Sequence, residues 1–375
     1  MRIHNILKPL FFTALILMIL VSCSNQPIEE EQNNINEQAH DEANHFELIS
    51  KMIYAPPKPL EDGSQATYEG LSYIKGKTPV IAYMPPGTEF DYYIAIGKGI
   101  ESLANEYKAN FYMKAPIKGS DIAGQMTMLE EVIHSDVDII ILSTHDENAA
   151  APFVELAVGS GIQVVIINSD ILTFPTPVHA VVGYNQRNGT HKLANYISHK
   201  VGDDLMNIGI IEGQVGWHST ERVGGFLDGI DGKKNFTVVA SEDGKWNIEG
   251  GKTAARTLLL SHPAIQMIFA ANDYEILGAL EASEEMGRDD LLLYGNDGDT
   301  ACLEAIAAGH IDATVHTAPY EMGVIALQVA FDGLAGTFNG GYVETPTIIV
   351  DVYSVTQYLK NPDRLYPKPL KDYNE

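Results

Sequence analysis

Short apolar runs, each too short for a helix and each ending abruptly in small or polar residues, recur along this chain with helical stretches between them. The first series is Val80-Ile-Ala-Tyr-Met84, Asn110-Phe-Tyr-Met113, Val137-Asp-Ile-Ile-Ile-Leu142, Gln163-Val-Val-Ile-Ile167 and Ala180-Val-Val-Gly183. A second series follows at Ile208-Gly-Ile-Ile211, Thr237-Val-Val-Ala240, Met267-Ile-Phe-Ala270 and Leu291-Leu-Leu-Tyr294. Helical stretches begin near Phe90, Ile122 and Ala149 in the first series, and near Arg187, Thr220, Ile248, Tyr274 and Thr300 in the second. A strand that is apolar throughout is covered on both faces, and strand–helix alternation gives parallel sheets with right-handed crossovers. The expected fold is therefore α/β and doubly wound, with strands enough for two sheets.

Ligands of such sheets bind just beyond the carboxyl ends of the strands. Two runs end there in Asn272-Asp273 and in Asn296-Asp297-Gly298, whose side chains can reach a ligand without breaking the core. Each also has a local use, because Asn272 or Asp273 can cap the helix that follows and Asp297 the helix from Thr300. Gly159-Ser160-Gly161 lies after a helix, which suits a C-terminal cap and not a reactive serine at a strand-to-helix turn.

At 375 residues with 45% hydrophobic content, the chain can bury two sizeable cores. A formal charge of -26 argues against a nucleic-acid partner, since no basic patch dominates such a field. No phosphate-binding loop, dinucleotide fingerprint or His-Glu-x-x-His motif is present, and Asn296-Asp-Gly-Asp299 lacks the spacing and distal Glu of a calcium loop. His40 and His45 bracket an acidic stretch that reads as a solvated tether, so neither a cofactor nor a metal is expected, and the chain is not read as an enzyme.

The N-terminus reads as an export signal over residues 1–22: Arg2 and Lys8 precede the apolar run Leu10–Val21, too short to span a bilayer comfortably. Leu20-Val21-Ser22-Cys23 resembles the bacterial lipobox, which implies cleavage before Cys23 and its acylation, palmitate-type chains included, with firm membrane attachment. Only Cys302 then remains, on an apolar helical face that suits core packing, so the mature chain forms no intrachain disulfide. Residues 23–77, rich in Glu, Gln, Asn and Pro, read as an acidic tether with one short helix near Phe46.

A family resemblance rests on His262-Pro-Ala-Ile-Gln-Met-Ile-Phe-Ala-Ala-Asn-Asp273, Leu277-Gly-Ala-Leu-Glu-Ala282, Gly287-Arg-Asp-Asp290, Gly295-Asn-Asp-Gly298, Ala313-Thr-Val315 and Pro319-Tyr-Glu-Met-Gly323. With Val182-Gly-Tyr-Asn185 and Glu221-Arg222-Val-Gly-Gly-Phe226, these resemble the type I periplasmic sugar-binding family over most of Pro79 to Val355. The resemblance implies two lobes closing on a ligand, joined by segments that cross near Val182, Thr317 and Gly341. The lobes would then comprise 78–182 plus 317–341 and 183–316 plus 342–357, with a tail over 358–375.

It also nominates contacts. The family's strand-end Asn-Asp pair, the Asp of its Gly-Phe-Asp-Gly motif and the Arg before Gly-Phe match Asn272, Asp273, Asp297 and Arg222, and its stacking aromatics match Trp246, Tyr92 and Tyr93. Carboxylates and guanidinium suit paired hydroxyls, and rings suit the apolar faces of a sugar. Two departures stand out: Asn168-Ser169-Asp170 replaces a common Asp-Arg, and Thr317 a common Gln. Tyr83-Met-Pro-Pro-Gly-Thr-Glu-Phe-Asp91-Tyr-Tyr93 resembles the first-strand loop of autoinducer-2 receptors and of the trimethylamine-oxide sensor partner, which dock on membrane histidine kinases. Asn168 matches an autoinducer-contacting Asn there, whereas the Arg expected at Thr317 and the Trp expected at Asn296 are absent.

The expected activity is a lipid-anchored, monomeric extracytoplasmic receptor that captures a small sugar and passes it to an ABC permease. One alternative is that the closed receptor biases a sensor histidine kinase. Another is a hydrolase or metal enzyme built on Asp273, Asp297 or His316.

Overall fold

The computed structural model describes residues 78–338 and 340–360. The export signal, Cys23, the tether and the chain beyond 360 lie outside the described residues.

Two six-stranded sheets form. The first has the order β11-β5-β4-β3-β1-β2, from β1 (Val80–Met84), β2 (Asn110–Met113), β3 (Ile139–Leu142), β4 (Gln163–Ile167), β5 (Ala180–Tyr184) and β11 (Gly341–Thr345). The second has the order β12-β10-β9-β8-β6-β7, from β6 (Met206–Glu212), β7 (Phe236–Asp243), β8 (Met267–Ala270), β9 (Leu292–Asp297), β10 (Ala313–His316) and β12 (Ile348–Asp351). Every residue of β3, β4 and β8 is buried, because helices cover both faces. In the first lobe, α1 (Asp91–Glu106) and α9 (Pro319–Leu334) close one face over Ile81, Ile139 and Val165. The opposite face, with Ile140 and Val164, is covered by α2 (Ile122–Ile133) and α3 (Glu147–Gly159). In the second lobe, α4 (Gln186–Val201) and α5 (Trp217–Ile230) pack over Ile208, Phe269 and Val315, where Phe226 stacks on Phe269 at 4.3 Å. Helices α6 (Ile248–Ser261), α7 (Asp273–Glu285), α8 (Thr300–Ala307) and α10 (Val355–Leu359) complete it.

Three expectations shift. The chain leaves the first sheet after Tyr184 and after Thr345, not near Val182 and Gly341, because β5 and β11 pair in register from Ala180–Gly341 to Tyr184–Thr345. Gly340 and Gly341, at φ +89° and +120°, turn the chain into β11 before any crossing. Strand β12 runs antiparallel to β10: the chain returns from β11 of the first sheet and enters the second beside the end of β10, with Ile348 opposite His316, so the second sheet is not wholly parallel. The tail begins later than expected, since Tyr358 is 2% exposed and packs its ring 4.9 Å from His316. Cys302 is a buried free thiol, as its apolar face suggested. No described helix is long and apolar enough to cross a membrane.

His316 ends β10 beside the crossing at Thr317. It is 3% exposed, and its Nδ1 accepts the Ala318 N–H at 3.1 Å, where Ala318 turns through φ +51°. Burial pushes the imidazole down to about 4. An unfolded histidine titrates near 6.5, so the native state favours the neutral ring; its contribution is whole above that pH and falls as acid protonates the unfolded chain. The loss amounts to about 2 kcal/mol by pH 5. Urea unfolding at pH 7 and pH 5 is expected to show that loss shrinking in His316→Asn, which keeps an acceptor for Ala318; an equal loss in the variant would place the titration elsewhere.

Candidate functional site

Between the lobes lies a partly open cavity. All eight residues expected from the sequence line it, together with Phe90, His145, His218, Tyr274 and Asp299.

The first lobe contributes the start of α1 and the end of β4. Tyr92 and Tyr93, each 6% exposed, meet edge to face with centroids 5.5 Å apart. Asn168 follows β4 at φ +58°, a left-handed conformation that asparagine tolerates better than most residues. It ties the two rings: Tyr92 Oη donates to Asn168 Oδ1 at 2.9 Å, and Asn168 Nδ2 donates to Tyr93 Oη at 3.4 Å. Tyr92 also meets Thr317 Oγ1 at 2.8 Å, which links the site to a crossing strand.

Arg222, on α5 and 4% exposed, organises the second lobe. Its Nε donates to Gln186 Oε1 at 3.1 Å and its Nη1 to the Ala271 carbonyl at 3.0 Å, and Nη1 also lies 3.0 Å from Asp297 Oδ1. The guanidinium sits 5.4 Å from the Trp246 ring and 5.7 Å from the Tyr184 ring. Asp297 closes β9 at φ +137°. Burial pushes its carboxyl up to about 7 while the Arg222 guanidinium pulls it back. Its Oδ1 takes Arg222 and the Asn296 amide, and Oδ2 carries no hydrogen bond among the described residues, leaving an acceptor for a hydroxyl.

The strand-end pair serves the protein first. Asp273 is 1% exposed: Oδ2 accepts the N–H groups of Gly298 and Asp299, each at 2.7 Å, and Oδ1 accepts Thr314 Oγ1 at 2.6 Å. It holds the turn that presents Asp297. Asn272 caps α7 through Oδ1, which accepts the Glu275 N–H at 2.8 Å, and its Nδ2 donates one N–H to the Trp246 carbonyl at 3.5 Å, leaving the other. The cap of α8 is Asp299, not Asp297: Asp299 Oδ1 accepts the Ala301 N–H at 2.9 Å.

Trp246 and Lys245 both adopt left-handed backbone, at φ +60° and +58°, which costs of order 1–3 kcal/mol each for a non-glycine residue. Two features hold them. Glu275, fully buried, accepts the Trp246 N–H at 2.8 Å, and Gly213 lies so close that a Cβ there would come within 2.1 Å of the indole. Burial raises the Glu275 carboxyl well above the usual carboxylate range. Glu275→Gln, which keeps an oxygen acceptor for the Trp246 N–H, is expected to keep ligand affinity within about twofold, whereas Glu275→Leu orphans that N–H at roughly 1–3 kcal/mol and loosens the ring. Ligand titration followed by tryptophan fluorescence checks this; equal affinities for the two variants would remove Glu275 from positioning Trp246.

The residues missed from sequence carried weak signals. His145 lies beyond the end of β3, where the strand-end rule applied to the second lobe would have found it, and His218 sits one turn before Arg222 on α5. The two imidazoles face each other across the lobes at 6.5 Å. Burial pushes His145 down to about 4 and His218 well below its ordinary value, so both are neutral donors or acceptors. Phe90 stacks on Tyr274 at 5.9 Å, the Asp91 N–H donates to Tyr274 Oη at 3.2 Å, and Trp217 Nε1 donates to Asp170 Oδ1 at 2.8 Å. The lobes are shut. His316, considered for a hydrolase, does not line the cavity.

The profile of the family described as periplasmic binding protein domain matches residues 81–337. The chain is 31% identical over 294 residues to the ribose import binding protein RbsB of Bacillus subtilis, covering 77% of this chain and 90% of that protein. It is 29% identical over 299 residues to a D-ribose/D-allose-binding protein of Pseudomonas aeruginosa, covering 75% and 92%. Among solved structures, an ABC transporter periplasmic solute binding protein of Actinobacillus succinogenes with bound D-allose aligns at TM-score 0.70 and 24% identity, over 75% of this chain and 100% of that one. A solute binding protein of Bacillus halodurans with bound myo-inositol aligns at TM-score 0.68 and 24% identity, over 76% and 98%. These two likenesses concern the fold.

Proposed function

The chain belongs to the periplasmic binding protein family, whose domain spans residues 81–337, and from that premise we propose that it captures a small sugar outside the cytoplasm and presents it to an ABC transporter. The observation that carries this reading is a cavity between the lobes with polar and aromatic groups from both: Trp246 and the Arg222–Asp297 pair from one, Tyr92 and Asn168 from the other. A ligand touching both sides stabilises the shut form over the open one, and the partner reads the shut form. The relatives are binding proteins, and this chain binds its ligand without turnover. Acylation at Cys23 and a monomeric state complete the proposal; radiolabelled palmitate incorporation lost in Cys23→Ala, and light scattering at the monomer mass, test them.

A thermal-shift screen with pentoses, hexoses and inositols tests the function itself. A sugar at a hundred times its dissociation constant stabilises the fold by about 2.7 kcal/mol. The expected result is a shift with at least one of these sugars, recovered chemically unchanged. A shift confined to autoinducer-2 or amine oxides would instead support the sensor-kinase reading.

A further inference from the structure

A second recess adjoins the first. It is an open recess lined by Ile122, Asp146, Gln214, Val215 and Gly216, and it shares His145, His218 and Trp246 with the inner cavity. Those three side chains are thus the wall between the two. The wall is divided between lobes, with His145 on one and His218 and Trp246 on the other, so the passage widens as the lobes part.

The outer recess has the makings of a site. Val215, wholly exposed, stands on its rim, Ile122 and Trp246 supply apolar surface, and the half-buried Gln214 offers an amide with no protein partner among the described residues. An aromatic and aliphatic wall with one amide is the chemistry that takes a sugar ring, apolar faces against the wall and hydroxyls at the amide. We infer that the protein accepts a two-ring glycoside, one ring held in the inner cavity and the second in the outer recess, with the glycosidic bond passing between His145 and His218. This rests on the carbohydrate reading above and specifies its substrate class.

Gly216 allows a clean test. Its backbone is extended, at φ 165°, and a Cβ there meets nothing closer than 3.8 Å, so Gly216→Trp puts bulk into the outer recess and not into the inner cavity, which Gly216 does not line. Calorimetric titration of the full-length protein compares glucose, galactose, ribose and allose with cellobiose, lactose, maltose and the phenyl glycosides of the four. The expected result is a two-ring ligand bound at least tenfold tighter than its parent monosaccharide, with that gain lost in Gly216→Trp while the monosaccharide affinity stays within twofold. Monosaccharide binding with every two-ring ligand rejected overturns the inference and leaves the carbohydrate reading standing, and a gain that survives Gly216→Trp does the same. Failure of every sugar overturns both.

Discussion

Replacing Arg222 by alanine will abolish ligand binding and destabilise the fold by about 3–5 kcal/mol, the usual consequence of removing one member of a buried ion pair. The side chain is 4% exposed, and its loss strands Asp297 in the cavity wall together with the Gln186 and Ala271 acceptors. Lysine will not rescue it. A point charge cannot bond three acceptors in one plane while lying between two rings, as the guanidinium does between Trp246 and Tyr184. Denaturant unfolding gives the stability term and calorimetry the binding term. A stable Arg222→Ala protein that still binds its sugar would show that the guanidinium is a bystander.

Asp273→Ala is expected to cost as much stability through a different route. Two buried backbone N–H groups, from Gly298 and Asp299, and the Thr314 hydroxyl lose their shared acceptor, at roughly 1–3 kcal/mol each before relaxation. The turn that presents Asp297 then loosens, and binding falls as a consequence. Asp297→Asn behaves oppositely: it keeps an acceptor for Arg222 and retains the fold, but it weakens the charge-assisted bond to a ligand hydroxyl by about 1.5–3 kcal/mol. Measuring unfolding and affinity for both variants separates the roles. If Asp273→Ala unfolds like the parent while Asp297→Asn collapses, the two assignments are exchanged.

That distinction marks the limit of what was legible in the sequence. The apolar runs gave most strands because burial on both faces demands continuous hydrophobic residues, and Met267–Ala270 and Gln163–Ile167 appear where their side chains require. Strands β10 and β11 went unassigned: Ala313-Thr-Val-His316 mixes polar and apolar residues, and the family resemblance put a crossing near Gly341 although the strand that begins there continues to Thr345. All eight nominated residues reached one cavity, since strand ends converge in this fold. Sequence did not show which of them the backbone would claim. Asp273 and Asp297 look alike in one dimension, and only the positions of the Gly298 and Asp299 N–H groups make the first a brace. His145 and His218 went unseen for a related reason, because their pairing exists only once the lobes meet.

The charge of the site follows the same logic. Closure removes water from Asp297, and its carboxyl rises toward neutrality unless a partner replaces that water. Arg222 supplies part of the replacement, and under the proposed function a donating ligand hydroxyl would supply the rest, so that the shut form and the bound form support each other.

The most direct measurement is a crystal structure of the protein grown with the sugar giving the largest thermal shift. Density is expected between the lobes, with one face of the ring against Trp246, a hydroxyl within hydrogen-bond distance of Asp297 Oδ2, and another contacting Tyr92 or Asn168 of the opposite lobe. Ligand held by a single lobe, or seated away from Asp297 and Trp246 altogether, would contradict that expectation.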